Sequence, residues 1–140
     1  MKSRISTTRT VAAKEQTEEF KRVAKESIDY GEQNDCSVKA VAILSGLSYG
    51  YVRTLFLVKG REHRKPTPRS VTFAVLDELG INVREIGNLP KSVSKCERDL
   101  NPDHKFLVIT SGHMLAVTKG QAHCWTRGRK HRPLSIMRIN

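Results

Sequence analysis

From residue 105 to residue 126 the chain reads KFLVIT, SG, HMLAVT, KG, QAHCWT: three short strand-like runs separated only by pairs of turn residues. Ser111-Gly112 and Lys119-Gly120 suit two-residue hairpin turns, so the runs are expected to form an antiparallel meander. A two-residue turn at Lys119-Gly120 also sets a register, opposing His113 to Thr126, Met114 to Trp125 and Leu115 to Cys124. Directly opposed residues share a face of a sheet. His113, Leu115, Cys124 and Thr126 are therefore expected on one side, with Cys124 one diagonal step from His113, and His123 and Trp125 on the other. A slip of one residue would exchange the faces. Residues 134–139 supply a further strand.

Upstream, the period is that of helices. Residues 1–10 are Ser/Thr/Arg-rich and expected to fray, and 11–30 read as a helical arm with Phe20, Val23, Ala24 and Ile28 on one face. Cys36 then opens a second helix, capped by Asn34 or Asp35, with Val38, Val41, Ala42 and Leu44 as its buried stripe and Gly46 as its stop. Ser48 caps a third, with Tyr49, Val52, Leu55 and Phe56 inward and an end at Lys59-Gly60. Residues 61–66, REHRKP, form a basic loop. A fourth helix has Thr67 as N-cap, Pro68 at the first helical position, Val71, Val75 and Leu79 on one stripe, and Gly80 beyond its end. Residues 81–86 alternate as a short strand, and 87–103 are loop-like with a helical turn within 92–100. Helices first and strands last predict an α+β domain, its helices packed on one face of an antiparallel sheet. The expected division is an arm and first helix over 1–30 and the domain proper over 31–140.

At 140 residues the chain has room for one real core without covalent staples. Cys36, Cys96 and Cys124 are odd in number, widely spaced and without a CxxC pair, which argues against a secreted disulfide framework. No apolar run reaches the length of a signal or a membrane span, so a soluble cytoplasmic protein without a membrane partner is expected. Glycine-rich phosphate loops are absent, and His104, His123 and His131 have no metal spacing, so no cofactor and no metal are expected. The net charge of +11 points to an anionic partner, but the charge is uneven: seven Lys or Arg and no acid lie beyond residue 104, against six acids and four bases over 71–104. The run TRGRKHR makes Arg127, Arg129, Lys130 and Arg132 candidates for nucleic-acid contact through counterion release. A solvated loop that maintains solubility is the plainer use of the same residues. Trp125 and the tyrosines are not interleaved with basic residues as in a base-stacking platform, and Trp125 is expected in the core.

The chemistry centres on Cys36. A thiol at the start of a buried helix sits where backbone N–H groups and the helix dipole favour its nucleophilic form, although free cysteine is also a common core residue. His113, at the start of an internal strand after a Ser-Gly turn, is positioned to face a helix N-terminus packed against that sheet. A thiol and an imidazole within hydrogen-bond reach form a nucleophile and its base, provided a third group holds the other ring nitrogen. A structural histidine at a sheet edge is the plainer alternative. Cys36, His113 and Cys124 are also a conceivable zinc set with an open fourth position, though not at the spacing of a compact zinc motif, and Cys36 with Cys124 an oxidisable pair.

The stretches NDCSVKAVAILSGLSYGYV and FLVITSGHMLAVTKGQAHCW, in this order, resemble small papain-like cysteine peptidases, most closely compact bacterial and phage proteins related to bacteriocin-leader peptidases. The resemblance spans roughly residues 32–139. It implies Cys36 as nucleophile and His113 as general base and acid, acting on a peptide, isopeptide or side-chain amide through a thioester, in a bacterial or phage-infected cell. It implies an oxyanion site at the Cys36 backbone N–H, with Gln33 or Asn34 as side-chain donors, although the family's glutamine usually stands further upstream, where this chain has Tyr30. The family's Asp or Asn on the strand after the histidine falls close to Cys124. Gln121, Thr126 or a backbone carbonyl is the possible substitute for that orienting acid. The alternative is a weakly active or inactive papain-like domain that binds nucleic acid or a host protein through its basic surface.

Overall fold

A computed structural model describes residues 14–140. The described residues form five helices, α1 Glu18–Asp29, α2 Cys36–Ser45, α3 Tyr49–Val58, α4 Arg69–Glu78 and α5 Val93–Asp99. Five strands accompany them, β1 Val83–Glu85, β2 Lys105–Thr110, β3 His113–Thr118, β4 Gln121–His123 and β5 Ser135–Ile139. All strand pairs are antiparallel, in the order β1-β5-β2-β3-β4. The domain is α+β, as the element pattern predicts.

The hairpins follow their turn residues. Thr110 pairs with His113 across Ser111-Gly112, and Thr118 with Gln121 across Lys119-Gly120. Lys119 and Gly120 both adopt positive φ, 54° and 73°, the conformation of a type I′ turn whose twist matches the strands it joins. Ala116 pairs with His123, which is the register expected from the turn, but pairing stops there and the third run is half its expected length. The last strand does not extend the meander. β5 returns across the sheet and lies between β1 and β2, making β2 a central strand.

Both faces of the sheet are covered, which corrects the expectation of helices on one face alone. Leu107, Ile109, Met114 and Ala116 face a core shared with α1 to α4, whereas Phe106, Val108, Leu115, Val117 and Ile136 face Val93, Cys96 and Leu100 of α5 and its end. The runs FLVI and MLAV are apolar at both parities because both sides are buried.

Among the helices, α2 is central. Seven of its ten residues are buried, Val38, Val41 and Ala42 completely, and it is the element against which α1, α3, α4 and β3 all pack. Gly46 ends it in the left-handed conformation at φ 73°. Ser48 caps α3 by accepting from the Tyr51 N–H, and Ser92 caps α5 through the Lys95 N–H. Pro68, not Thr67, is the residue before α4, and the Thr67 hydroxyl is buried without a hydrogen-bond partner among the described residues. α1 begins at Glu18, capped by the Thr17 hydroxyl, rather than at residue 11; residues 1–13 lie outside the described residues. Phe20 and Val23 enter the main core, so α1 is a constituent of the domain and not an arm laid over it. The segment before it is fastened to the region after β4, with Thr17 hydrogen-bonded to His123, Gln16 donating to the Trp125 carbonyl and Lys14 paired with Glu97. No helix among the described residues is long and apolar enough to cross a membrane.

Candidate active site

Cys36 is the first residue of α2, and the polar turn that delivers it is held by two buried carboxylates. Asp35 stands at the cap position, but its side chain does not cap the helix. It accepts from Ser27 Oγ and from the Tyr49 hydroxyl and lies 3.3 Å from Lys39 Nζ. Burial alone would raise the Asp35 pKa, but these hydrogen bonds and the Lys39 charge outweigh it and hold the carboxyl ionised below its ordinary range. Asn34 does not cap either. It takes a left-handed conformation, φ 55°, and its amide donates to the Arg64 carbonyl.

Glu32 is the second anchor. Its completely buried side chain accepts from both terminal nitrogens of Arg61, from Arg53 Nε and from the Arg64 backbone N–H, with His63 Nδ1 3.1 Å away. Against the upward push of burial, these donors lower its pKa to about 2. The basic loop over 61–66 is exposed from residue 62 to residue 66, but its first residue is not. Arg61 is buried, pinned to Glu32 and to the Gln33 carbonyl, and the loop's far end, Pro66 and Thr67, walls the cleft in front of Cys36.

That cleft, of about 380 Å³, is lined on one side by Asn34, Cys36 and Ser37, on another by Pro66, Thr67 and Arg69, and on the third by Thr110, Gly112, His113 and Met114. A smaller apolar recess of about 50 Å³ adjoins the same pair, between Phe20, Ala40, Met114 and Trp125. Trp125 is 63 % exposed, edge-on to Phe20 at 6.3 Å, which corrects its expected place in the core. Ser37 Oγ donates to Met114 Sδ at 3.3 Å, joining the residue after Cys36 to the residue after His113. Cys36 and His113 thus belong to one site.

They do not meet as the sequence suggested. By register His113 shares the face of Leu115 and Val117, the α5 side, whereas α2 packs on the opposite face through Met114 and Ala116. The two approach each other around the end of the sheet, not across it. Among the described residues no hydrogen bond joins Cys36 to His113. His113 Nε2 instead lies 3.2 Å from Cys124 Sγ, which in turn accepts from Arg129 Nε at 3.0 Å. The His113 pKa falls from 6.5 to about 4 because burial disfavours the imidazolium and the positive charges of Arg129, His131 and Lys39 add to that effect. The imidazole is neutral at neutral pH.

Of the other nominated residues, Cys124 alone touches the ring. Gln121 opposes Thr118, five residues along β3 from His113 and roughly 16 Å away at strand rise, and Thr126 is exposed beyond the end of β4. Asn34 lines the cleft; Gln33 is exposed and does not. In the basic run Arg127 is committed internally, 2.8 Å from Glu97 and donating to the Glu15 carbonyl, and Arg129 is held on Cys124, leaving Lys130 and Arg132 as the exposed members. Cys36, His113 and Cys124 do not form a zinc shell: among the described residues no group of three or more His, Cys, Asp or Glu could hold a metal ion. Sequence reasoning missed the Glu32 anchor and, although it nominated Arg129 for nucleic-acid contact, the place of Arg129 on Cys124. Nothing in the local pattern of either signals a partner that is distant in the chain. No protein-family model, no curated protein and no solved structure matches this chain.

Proposed function

We propose that the chain is a papain-like cysteine amide hydrolase, with Cys36 as nucleophile and His113 as its base. The observation that carries the reading is the shared cleft: a helix-start cysteine and a strand-start histidine line one recess, tied together by the Ser37–Met114 contact beside them.

The hydrogen bonds support one division of roles within the pair. Arg129 can only donate, so Cys124 Sγ accepts from it, and in the Nε2–H tautomer that we assign to His113 the ring donates to the same sulfur. A proton on Nε2 leaves Nδ1 as the basic nitrogen for the Cys36 thiol. Because His113 is neutral, it acts as a general base that takes the thiol proton during attack, rather than as the imidazolium of a preformed ion pair. Sulfur attacks the amide carbonyl carbon, His113 passes the proton to the departing amine, and the C–N bond breaks to leave a thioester. Water, deprotonated by the same ring, then releases the acid and restores the thiol. The Cys36 backbone N–H at the start of α2 and the Asn34 amide are the donors for the oxyanion. The absent hydrogen bond between Cys36 and His113 accords with catalytic contacts that tighten only when substrate arrives.

The test uses Cys96 as an internal control. Its thiol is fully buried, bonded to the Ser92 carbonyl, and pushed up to about 11 by burial and by Asp99 and Glu97. Iodoacetamide at neutral pH is expected to label Cys36 at least tenfold faster than Cys96, and His113→Ala to slow Cys36 labelling selectively. p-Nitrophenyl acetate is expected to give a burst with an acetyl thioester on Cys36. Equal slow labelling of both cysteines, with no burst, would sink the proposal.

A further inference from the structure

Every side chain that lines the two recesses at Cys36 is neutral or basic. Arg69 stands on the wall of the larger cleft and Lys39 on the smaller, while Arg129, Lys130 and His131 form the loop beyond Cys124. Glu19 lies 3.8 Å from His123 at the back of the smaller recess, and the other nearby carboxylates are already engaged. Asp35 is held by Ser27, Tyr49 and Lys39, Glu32 by Arg53 and Arg61, and Glu97 by Lys14, Arg127 and the Ala122 N–H. Arg69 and Arg129 have no carboxylate partner among the described residues, and residues 1–13 contain no acid that could supply one. Arg69 lines the cleft itself, and Arg129 lines the neighbouring recess with Thr126, Lys130 and His131 and is joined to His113 through Cys124, so unpaired positive charge on both flanks of the site favours an anionic occupant.

We propose that the substrate is an acidic peptide segment, one of whose carboxylates docks on Arg129 and brings to His113 the negative charge that Cys124 does not supply. The proposal rests on the amide-hydrolase reading above and adds the substrate class to it. Arg129 carries the assignment because its Nε is fixed on Cys124 Sγ while its two terminal nitrogens make no hydrogen bond among the described residues, the geometry that receives a carboxylate in a two-point pair. A carboxylate there stands close to the ring that hydrogen-bonds the same sulfur. It would offset the Arg129, His131 and Lys39 charges that oppose the imidazolium during proton transfer. An orienting acid contributed by substrate in place of the chain couples catalysis to recognition: a neutral peptide finds the nucleophile with a poorly supported base.

The experiment compares an anionic with a neutral alkylating agent on the full chain. Rates of Cys36 modification by iodoacetate and by iodoacetamide are measured by peptide mass spectrometry, and their ratio is divided by the ratio for glutathione. The expected normalised ratio is about tenfold or more at low salt, collapsing toward one in 0.5 M salt as the cationic field is screened. Arg129→Gln is expected to lower it severalfold and Arg129→Lys to retain most of it. The salt series needs no variant, so it stands if Arg129→Gln fails to fold. A tetraglutamate peptide is expected to protect Cys36 from iodoacetamide, and an oligothymidylate of equal charge not to. A ratio near one with fast, His113-dependent iodoacetamide labelling would overturn this inference and leave the hydrolase intact, as would stronger protection by the oligonucleotide. Labelling of Cys36 no faster than Cys96 by either reagent would overturn both.

Discussion

Cys124 is the hydrogen-bond partner of the His113 ring, and its effect on His113 is open to measurement. A thiol accepts hydrogen bonds weakly and brings no fixed charge, so burial and the neighbouring cations dominate, and His113 titrates at about 4. Cys124→Asp places a carboxylate of similar size between His113 Nε2 and Arg129 Nε, where both can donate to it. Opposite charge favours the imidazolium, so the His113 pKa is expected to rise by at least one unit, about 1.4 kcal/mol in favour of the charged form. NMR titration of the ring measures the shift, and Cys36 alkylation at pH 7 is expected to quicken severalfold in the same variant. An unchanged titration would mean that the sulfur is not the ring's electrostatic partner. In the unsubstituted protein the neutral base persists far below the usual histidine range, so the acid limb of Cys36 reactivity attributable to His113 is expected near pH 4 rather than 6.5. The diagonal step from His113 to Cys124 was legible because a two-residue Lys119-Gly120 turn permits one register only. Arg129 was not, since it reaches the same sulfur from a loop whose path no periodic pattern sets.

Among the elements, α2 and the loop before α4 determine the shape of the cleft, and Glu32 joins them. The stops of α2, α3 and α4 and the cap of α3 were readable from Gly46, Lys59-Gly60, Gly80 and Ser48, because a cap is a contact over a few neighbouring residues. Asp35 shows where that grammar fails. A carboxylate next to a helix start reads as a cap, yet Ser27 and Tyr49, from two other helices, take it for the core. REHRKP reads as a basic loop, and only tertiary structure reveals Arg61 as the buried partner of Glu32. Glu32→Gln leaves Arg61 with an uncompensated charge inside the domain and is expected to cost about 3 kcal/mol in urea unfolding. It should also loosen Pro66 and Thr67 on the cleft wall, so that protection of Cys36 by tetraglutamate weakens in the fraction that remains folded. A loss below about 0.5 kcal/mol would assign Glu32 to the exposed ion pairs that contribute little.

For the whole molecule, the shortfall of the sequence reading was the second face of the sheet. Unbroken apolar runs over 106–109 and 114–117 signal strands covered on both sides, and α5 with Val93, Cys96 and Leu100 supplies the second cover. That arrangement buries titratable groups on both sides, and the shifted histidines and buried carboxylates bear on acid stability in the same direction. His113 and His123 are held neutral, each chiefly by burial; the unfolded chain takes their protons near pH 6.5, while folded His113 refuses its proton until about 4. Between those values the unfolded state binds more protons, so stability falls as pH falls through that window. Glu32, Asp35 and Glu97 have lowered pKa values, so their contribution is present above the ordinary carboxylate range and is lost below it, toward about 2 for Glu32. Acid unfolding should therefore show two stages. The free energy of urea unfolding, and with it the midpoint, is expected to drop between pH 7 and pH 5, by on the order of 1–2 kcal/mol once solvent screening is allowed for, and more steeply below pH 4. His113→Asn combined with His123→Gln should abolish the first stage and leave the second. A midpoint that is flat from pH 7 to pH 5 in the unsubstituted protein would show that neither imidazole is kept neutral by the fold, and with it would go the assignment of His113 as a general base.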